Sequence, residues 1–340
     1  MKLVFIGPTL QTQRGIEALA QDHNILAVFT LPPEDTTHKV RSVDFTPLAA
    51  RHHFAVHTTA LTDPSITSLI RSYNPDLMIE LGDSRIVPPD ILSIPKYGTI
   101  GSHGGPLPYI QGAASLSWAL IFGENRWGVS LYRLAPKVDQ GDIIDTAYFP
   151  IILTDDFFTI HEKSDAAIVA LLQKNLSCIE TGTLHPTPNL RARKLGPKRL
   201  PNETLEHTIA RNNAVITAYH ARASPDEPVY LPRRTPEDGI IDWRRTSMDI
   251  YNWIRAQTHP LSGAWTLLEE TRLTLWSSAI LYSSSSAAPG TILSVHSPTT
   301  FTVETGLGQF LITNSSSPTP LNSSSVGKQL YVPPQKTLKE

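Results

Sequence analysis

His103 follows directly on a predicted strand, Gly98 to Ser102, and leads into Gly104-Gly105-Pro106-Leu107-Pro108. A histidine on a backbone of glycines and prolines is shaped for close approach rather than for packing. Further along stands Val138-Asp139-Gln140-Gly141-Asp142-Ile143-Ile144. Histidine and carboxylate are the residue types that general acid–base chemistry uses. Neither makes a site alone: a solitary histidine is commonly structural, and an aspartate before Gln-Gly commonly stabilises its own turn. The first turn reads Gly7-Pro8-Thr9 rather than GxGxxG, so the dinucleotide fingerprint is missing, and a Walker loop is missing too.

Short apolar runs at Leu3 to Ile6, Ile25 to Thr30, Phe54 to His57 and Asp76 to Leu81 read as strands. Helical spacing separates them, as in Ser65 to Ile70, where Asn74-Pro75 then stops the helix. This alternation predicts a Rossmann-like α/β unit with a mostly parallel sheet and ligands at the carboxyl ends of its strands. Two more strands are expected at Gly98 to Ser102 and Val129 to Leu134, with a helix at Ala113 to Phe122 that Gly123 caps and a long helix from about Asp156 to Glu180. The text changes at His185 to Pro232, rich in proline and carrying Arg191, Arg193, Lys194, Lys198 and Arg199. It reads as a linker with an insertion. A helix near Ser247 to Ala256 and β-type stretches at Ala264 to Leu268, Leu273 to Trp276, Gly290 to Val295 and Thr300 to Val303 then suggest a small β-barrel. The expected domains are 1–184, a linker 185–232 and 233–340. The serine runs at 283–286, 315–317 and 323–325 read as flexible loops, and Trp118, Trp127, Trp243 and Trp253 as core.

The chain has 340 residues, 40% of them apolar and 18% charged, enough for two folded domains and too apolar for disorder. With 29 basic against 31 acidic residues, no global charge excess recommends nucleic acid or a membrane surface. Cys178 is the only cysteine, which excludes an internal disulfide framework and a cysteine-rich metal site. No window is long and apolar enough to span a bilayer. A soluble cytoplasmic protein with no metal is expected.

Taken together these words resemble the folate-dependent formyltransferases, the group of methionyl-tRNA formyltransferase and the sugar-nucleotide N-formyltransferases. His103, Leu107-Pro108, Gly112-Ala113-Ala114 and Asp139-Gln140-Gly141-Asp142 keep the order of that family's signature. Leu3 to Gly7 is similar to its opening strand, and Leu81 to Pro88 to its segment lining the folate pocket. Arg234 to Trp243 and Ile254-Arg255-Ala256 are similar to the start of its C-terminal domain, and Ala288 to Ile292 to one of its strand entries. The resemblance implies a formyltransferase fold followed by an OB-like β-barrel, with 10-formyltetrahydrofolate as donor. It further implies His103 and Asp139 as catalytic residues, His103 donating to the oxyanion while Asp139 orients the imidazole and helps remove the amine proton. Gly82, Asp83, Arg85, Ile86, Val87, Asp139, Gly141 and Asp142 would hold the folate. Gly101, Ser102, Gly104, Gly105, Gln111, Arg233 and Arg234 would line the substrate, the two arginines gripping a diphosphate.

One departure stands out. The family's asparagine falls on Gly101, which has no side chain to hold the formyl oxygen, and losing such a donor costs about 10²–10³ in rate. Ser102 is adjacent but faces the other side of the strand. The segment Leu31 to Arg41, where the tRNA enzymes carry a long basic loop, is short and mixed in charge, a poor polyanion binder. The expected acceptor is therefore a small-molecule amine, nucleotide-linked, with methionyl-tRNA as the alternative. From a different class comes a formyltransferase fold with altered chemistry: a formyl hydrolase, another reaction, or a folate- or nucleotide-binding module. The amine itself and the oligomeric state are not legible in the sequence.

Overall fold

The computed structural model describes residues 1–32, 40–83, 85–136, 140–283 and 285–333. Asp139 lies outside them, as does most of the Leu31 to Arg41 segment. Two compact units divide the chain. Met1–Gln111, Arg126–Pro150 and His161–Arg193 form the first, and Gly112–Asn125, Ile151–Ile160 and Lys194–Glu340 form the second.

The first unit is built on a sheet to which the described residues contribute seven strands: β1 (Lys2–Ile6), β2 (Asn24–Thr30), β3 (Ala55–Thr58), β4 (Leu77–Glu80), β5 (Thr99–His103), then, past the short β6 (Ile110–Gly112), β7 (Arg126–Arg133) and β8 (Ile143–Pro150). Their order is β3-β2-β1-β4-β5-β7-β8. The first five are parallel, while β7 runs antiparallel to both β5 and β8. Strand order reverses beside β1, the switch point where open α/β sheets bind ligands. Leu3 to Ile6 and Leu77 to Ile79 have no exposed surface. Such continuous apolar runs are what a parallel sheet covered on both faces requires. Helices α1 (Leu10–Leu19), α2 (Thr46–His52), α3 (Pro64–Tyr73) and α4 (Pro89–Leu92) connect the strands. Asn74 ends α3 in the left-handed region, as the Asn-Pro signal predicts.

The second unit includes α5 (Ser115–Ile121), the first turn of α6 (Phe157–Thr181), α7 (Leu205–His220), β10 (Val229–Leu231) and α8 (Ser247–Arg255), with the two-residue β9 (Arg193–Lys194) at its edge. Gly123 follows α5 at φ 73°, the expected cap. An antiparallel sheet of β11 (Ala264–Leu268), β12 (Thr271–Ile280), β13 (Ile292–Ser297), β14 (Thr300–Glu304) and β15 (Gln309–Ser316) is ordered β11-β12-β15-β14-β13. Its two edges are joined by the chain end: Tyr331 N donates to Leu267 O, Leu330 N to Gly290 O and Ile292 N to Lys328 O. This closure hides both edge strands, which is how small barrels avoid edge-to-edge pairing.

Two expectations are corrected. The 185–232 stretch is more than linker, because α7 occupies its middle with Ile209, Val215, Ile216 and Tyr219 buried. Its Arg211 and Asn212 are also buried, held by Asp238, so a polar centre masks the helical pattern. Ser315 and Ser316 end β15 rather than forming a flexible loop, and buried Ser315 donates to Thr299 O. The four tryptophans are core as expected, Trp118 and Trp243 among the largest fully buried side chains. Among the described residues no helix is long and apolar enough to cross a membrane.

Asp238 ties the second unit together. It pairs with Arg199 and, at 2.5 Å, with Arg211, and accepts from Thr235 N at 2.7 Å. Burial alone would raise its pKa, but the Arg211 hydrogen bond, the Thr235 amide and the nearby arginines hold it below the usual value. A carboxyl depressed in the folded state stabilises fully above its unfolded value of about 3.9 and loses that contribution as pH falls through the folded value. Asp238→Asn is therefore expected to lower stability at pH 7 by about 3–5 kcal/mol, the usual result of breaking a buried pair. The gap to wild type should narrow progressively as pH falls below about 4, checked by thermal melts from neutral to acid pH.

Candidate active site

The carboxyl ends of β4 and β5 bring several of the expected site residues together. Glu80 closes β4 and pairs in register with Gly101 of β5, which in turn faces Tyr132 of β7. Pleating puts Gly101 and His103 on one face and Ser102 on the other. Ser102 accordingly donates to Gln11 Oε1 at 2.7 Å, away from His103. Gln11 continues to Asp165, which also meets Arg14 at 3.0 Å and Arg41 at 2.5 Å. Burial pushes the Asp165 carboxyl up despite these partners.

His103 is buried, with Nε2 3.0 Å from the Ile110 carbonyl. A carbonyl only accepts, so the ring donates and Nε2 carries hydrogen. The turn after it is pinned to β7: Trp127 Nε1 donates to Gly104 O at 2.8 Å, Ser130 Oγ donates to Gly105 O at 3.1 Å, and Leu107 N donates to Ser130 Oγ at 2.9 Å. Gly105 must lack a side chain. A Cβ there would lie 2.8 Å from Ile110 Cγ2, 2.9 Å from Ile110 O and 3.0 Å from His103 Nε2. Gly141 is equally forced, since its Cβ would fall 1.7 Å from Arg133 O, and Asp142 O accepts from Arg133 N at 2.8 Å.

Other expected site residues are placed as follows. Gly82 sits at φ 63° against Thr9, whose Oγ1 is buried without a hydrogen-bond partner. Asp83 and Arg85 pair with each other at 2.6 Å, and Arg85 also donates to Phe29, Thr30 and Thr59 carbonyls, fastening the ends of β2 and β3. Val87 is core, whereas Ile86 is 65% exposed. Gln111 is buried and bonded to Leu190 O and Asn189. Asp142 is exposed.

In the second unit, Arg233 is exposed. Arg234 is enclosed by aromatic rings. Its guanidinium lies between Trp118 and Trp253, 4.8 and 4.5 Å from the ring centroids, and donates to Gln257 Oε1 at 2.8 Å. Burial lowers its pKa to about 10, and Nη1 has no hydrogen-bond partner. Such stacking holds a guanidinium through cation–π contact.

Glu80 was not among the residues the sequence singled out. Its signal was available: a charged side chain at the end of the wholly buried run Leu77-Met78-Ile79 is rare unless it is paired or functional.

The fold and this edge of the sheet define an α/β enzyme with a histidine presented at the carboxyl ends of a doubly wound sheet and a small antiparallel barrel appended. Residues 1–175 match the family model for formyl transferase and residues 233–319 the model for its C-terminal domain, so the chain belongs to the formyl transferase family. A methionyl-tRNA formyltransferase of Pelotomaculum thermopropionicum is 28% identical over 318 residues, 92% of this chain and 90% of that protein. HypX from Aquifex aeolicus, solved in complex with tetrahydrofolic acid, shares the fold at TM-score 0.60 and 18% identity. That match covers 94% of this chain and 44% of HypX, so the chain spans less than half the length of that relative. The N-formyltransferase from Helicobacter canadensis, solved with folinic acid and dTDP-3-aminofucose, matches at TM-score 0.59 and 18% identity, covering 93% of this chain and all of that one.

Gly105→Ala is expected to break the His103–Ile110 hydrogen bond and to cost about 1–3 kcal/mol of stability through overpacking. Loss of the hydrogen-bonded His103 Nε2–H signal in the imidazole NMR spectrum, with a lowered melting temperature, checks both.

Proposed function

We propose that this chain transfers a formyl group from 10-formyltetrahydrofolate to the amine of a small, nucleotide-linked molecule, an amino sugar nucleotide. The observation carrying the reaction is His103, a ring donor held by the Gly104-Gly105 turn at the carboxyl edge of the sheet, in a chain of the formyl transferase family. The donor supplies a formyl carbon activated on N10. Acyl transfer builds negative charge on the formyl oxygen, and an oriented donor in a water-poor site relieves it. His103 takes that role when its Nε2–H turns from the Ile110 carbonyl to the formyl oxygen, and Asp139 is assigned to orient it and help handle the amine proton. For the folate the reading relies on Ile86, which offers an exposed apolar side chain, and on Asp83 and Arg85, which are paired with each other.

The choice of a small acceptor rests on how the arginines are spent. Arg14, Arg41, Arg85, Arg199, Arg211 and Arg244 are engaged in internal ion pairs, Arg234 is stacked between indoles, and Arg255 donates to Ile152, Leu153 and Asp155 carbonyls. Polyanion affinity comes from cations presented to phosphates, and these are not so presented. The methionyl-tRNA reading is favoured instead by the relative that matches across both domains.

A panel assay decides between them. With 10-formyltetrahydrofolate as donor, an amino sugar nucleotide should be formylated with kcat/KM at least about tenfold above that for methionyl-tRNA. Submicromolar tRNA binding at physiological salt, with efficient transfer, would overturn the acceptor assignment. His103→Ala should fold and lose about 10²-fold in kcat. An unchanged rate would remove His103 from the mechanism.

A further inference from the structure

Glu80 enters the space beside Gly101. A Cβ on Gly101 would lie 2.9 Å from Glu80 Oε2 and 2.8 Å from Leu134 Cδ2, so no side chain is accommodated there without displacing the carboxylate. Glu80 is 7% exposed, and its Oε1 accepts from Asp83 N at 2.8 Å. That bond turns the carboxylate toward the carboxyl end of the sheet. Gly101 and His103 are two residues apart on one strand face, roughly 7 Å along it. A buried carboxylate and a ring donor therefore share one face of the sheet edge, on adjacent strands.

Burying a carboxylate costs several kcal/mol unless hydrogen bonds or an opposite charge compensate. The Asp83 amide supplies one such bond. An ionised carboxylate has only acceptor sites, so it suits a partner bearing N–H and repels a developing oxyanion. Of the two reacting groups, the amine has the hydrogens and the formyl oxygen does not. We infer that Glu80 is a catalytic residue of the transfer reaction: its carboxylate binds the acceptor amine in its ammonium form and takes the proton, while His103 faces the formyl oxygen. This rests on the proposed formyl transfer. In the step, one N–H proton passes from the ammonium to Glu80, the nitrogen lone pair forms the new C–N bond, the bond from the formyl carbon to N10 breaks, N10 leaves bearing the proton that Glu80 returns, and the second proton that the nitrogen loses passes to solvent, leaving a neutral formamide with one N–H.

The test compares the wild type with Glu80→Gln, using 10-formyltetrahydrofolate with dTDP-3-aminofucose and with methionyl-tRNA. For whichever amine the wild type formylates, its kcat/KM should stay level well below the amine's own pKa, because the enzyme takes the charged form. Glu80→Gln must wait for neutral amine. It should be about 10²-fold slower at pH 7, with a rate climbing up to the amine's pKa and largely rescued above it. Calorimetry in two buffers of different ionisation heat gives a readout free of turnover: amine binding below its pKa should release about one proton in Glu80→Gln and none in wild type. If Glu80→Gln does not fold, Gly101→Ala displaces the carboxylate by its methyl group and should show the same pH dependence. Wild-type rate and pH profile in the folded variant overturn this inference and leave formyl transfer standing. No transfer by the wild type to either amine overturns both.

Discussion

The pleat of β5 governs the first unit. With a period of two, Gly101 and His103 must face one way and Ser102 the other. On the Ser102 side the strand is tied through Gln11 to Asp165, Arg14 and Arg41, which joins α1, α6 and the segment around Arg41. On the other side it opens onto Glu80 and the Gly104-Gly105 turn. A register slip of one residue would exchange these faces, putting the imidazole into an ion-pair network and the serine beside the Ile110 carbonyl. The polar network behind the strand therefore helps fix which residues the site presents.

Two buried carboxylates show how surroundings decide ionisation. Asp165 and Asp238 each meet two arginines, yet burial pushes the first up and the second is held down. Both lose solvation, which disfavours charge. Asp238 also accepts a backbone amide from Thr235 in a capping box and has Arg234 nearby. Asp165 shares both of its arginines with Glu162, whereas Asp238 shares Arg211 with Glu203, so more of the field around Asp165 is spent on another anion. The difference lies in the local count of donors against acceptors.

Much of the architecture was legible along the chain because it follows from periodicity. The apolar runs of β1, β2 and β4, the Asn74 stop and the Gly123 cap are local signals, and each element formed where its signal stood. The place of His103, at a strand end before a glycine and proline turn, was legible too, while its assignment to chemistry came from the family resemblance and not from periodicity. What stayed hidden depends on pairing across the sequence. The polar centre of α7 makes sense only once Asp238 is brought to Arg211. Arg234 reads as a free cation until Trp118 and Trp253 close on it from distant helices. The carbonyls at the ends of β2 and β3 that take hydrogens from Arg85 are likewise invisible along the chain.

Gly101 shows the same contrast at the site itself. Along the chain a glycine is a missing side chain. Across the sheet it is room, and the neighbouring strand uses it. The row Glu80, Gly101, Tyr132 is set by backbone register, so a group entering the gap must come from β4 or β7. Glu80 and Leu134 fill it together, one polar and one apolar. Packing density at this point is thus maintained while the chemistry differs from anything residue 101 could bring, because a strand-end glutamate delivers an acceptor from the side where a residue on β5 itself would deliver its own group from below. A site read only along β5 appears depleted. Read across β4 and β5, it contains a donor and an acceptor on one face, which is the minimum that moving a proton from an amine while charging a carbonyl oxygen requires.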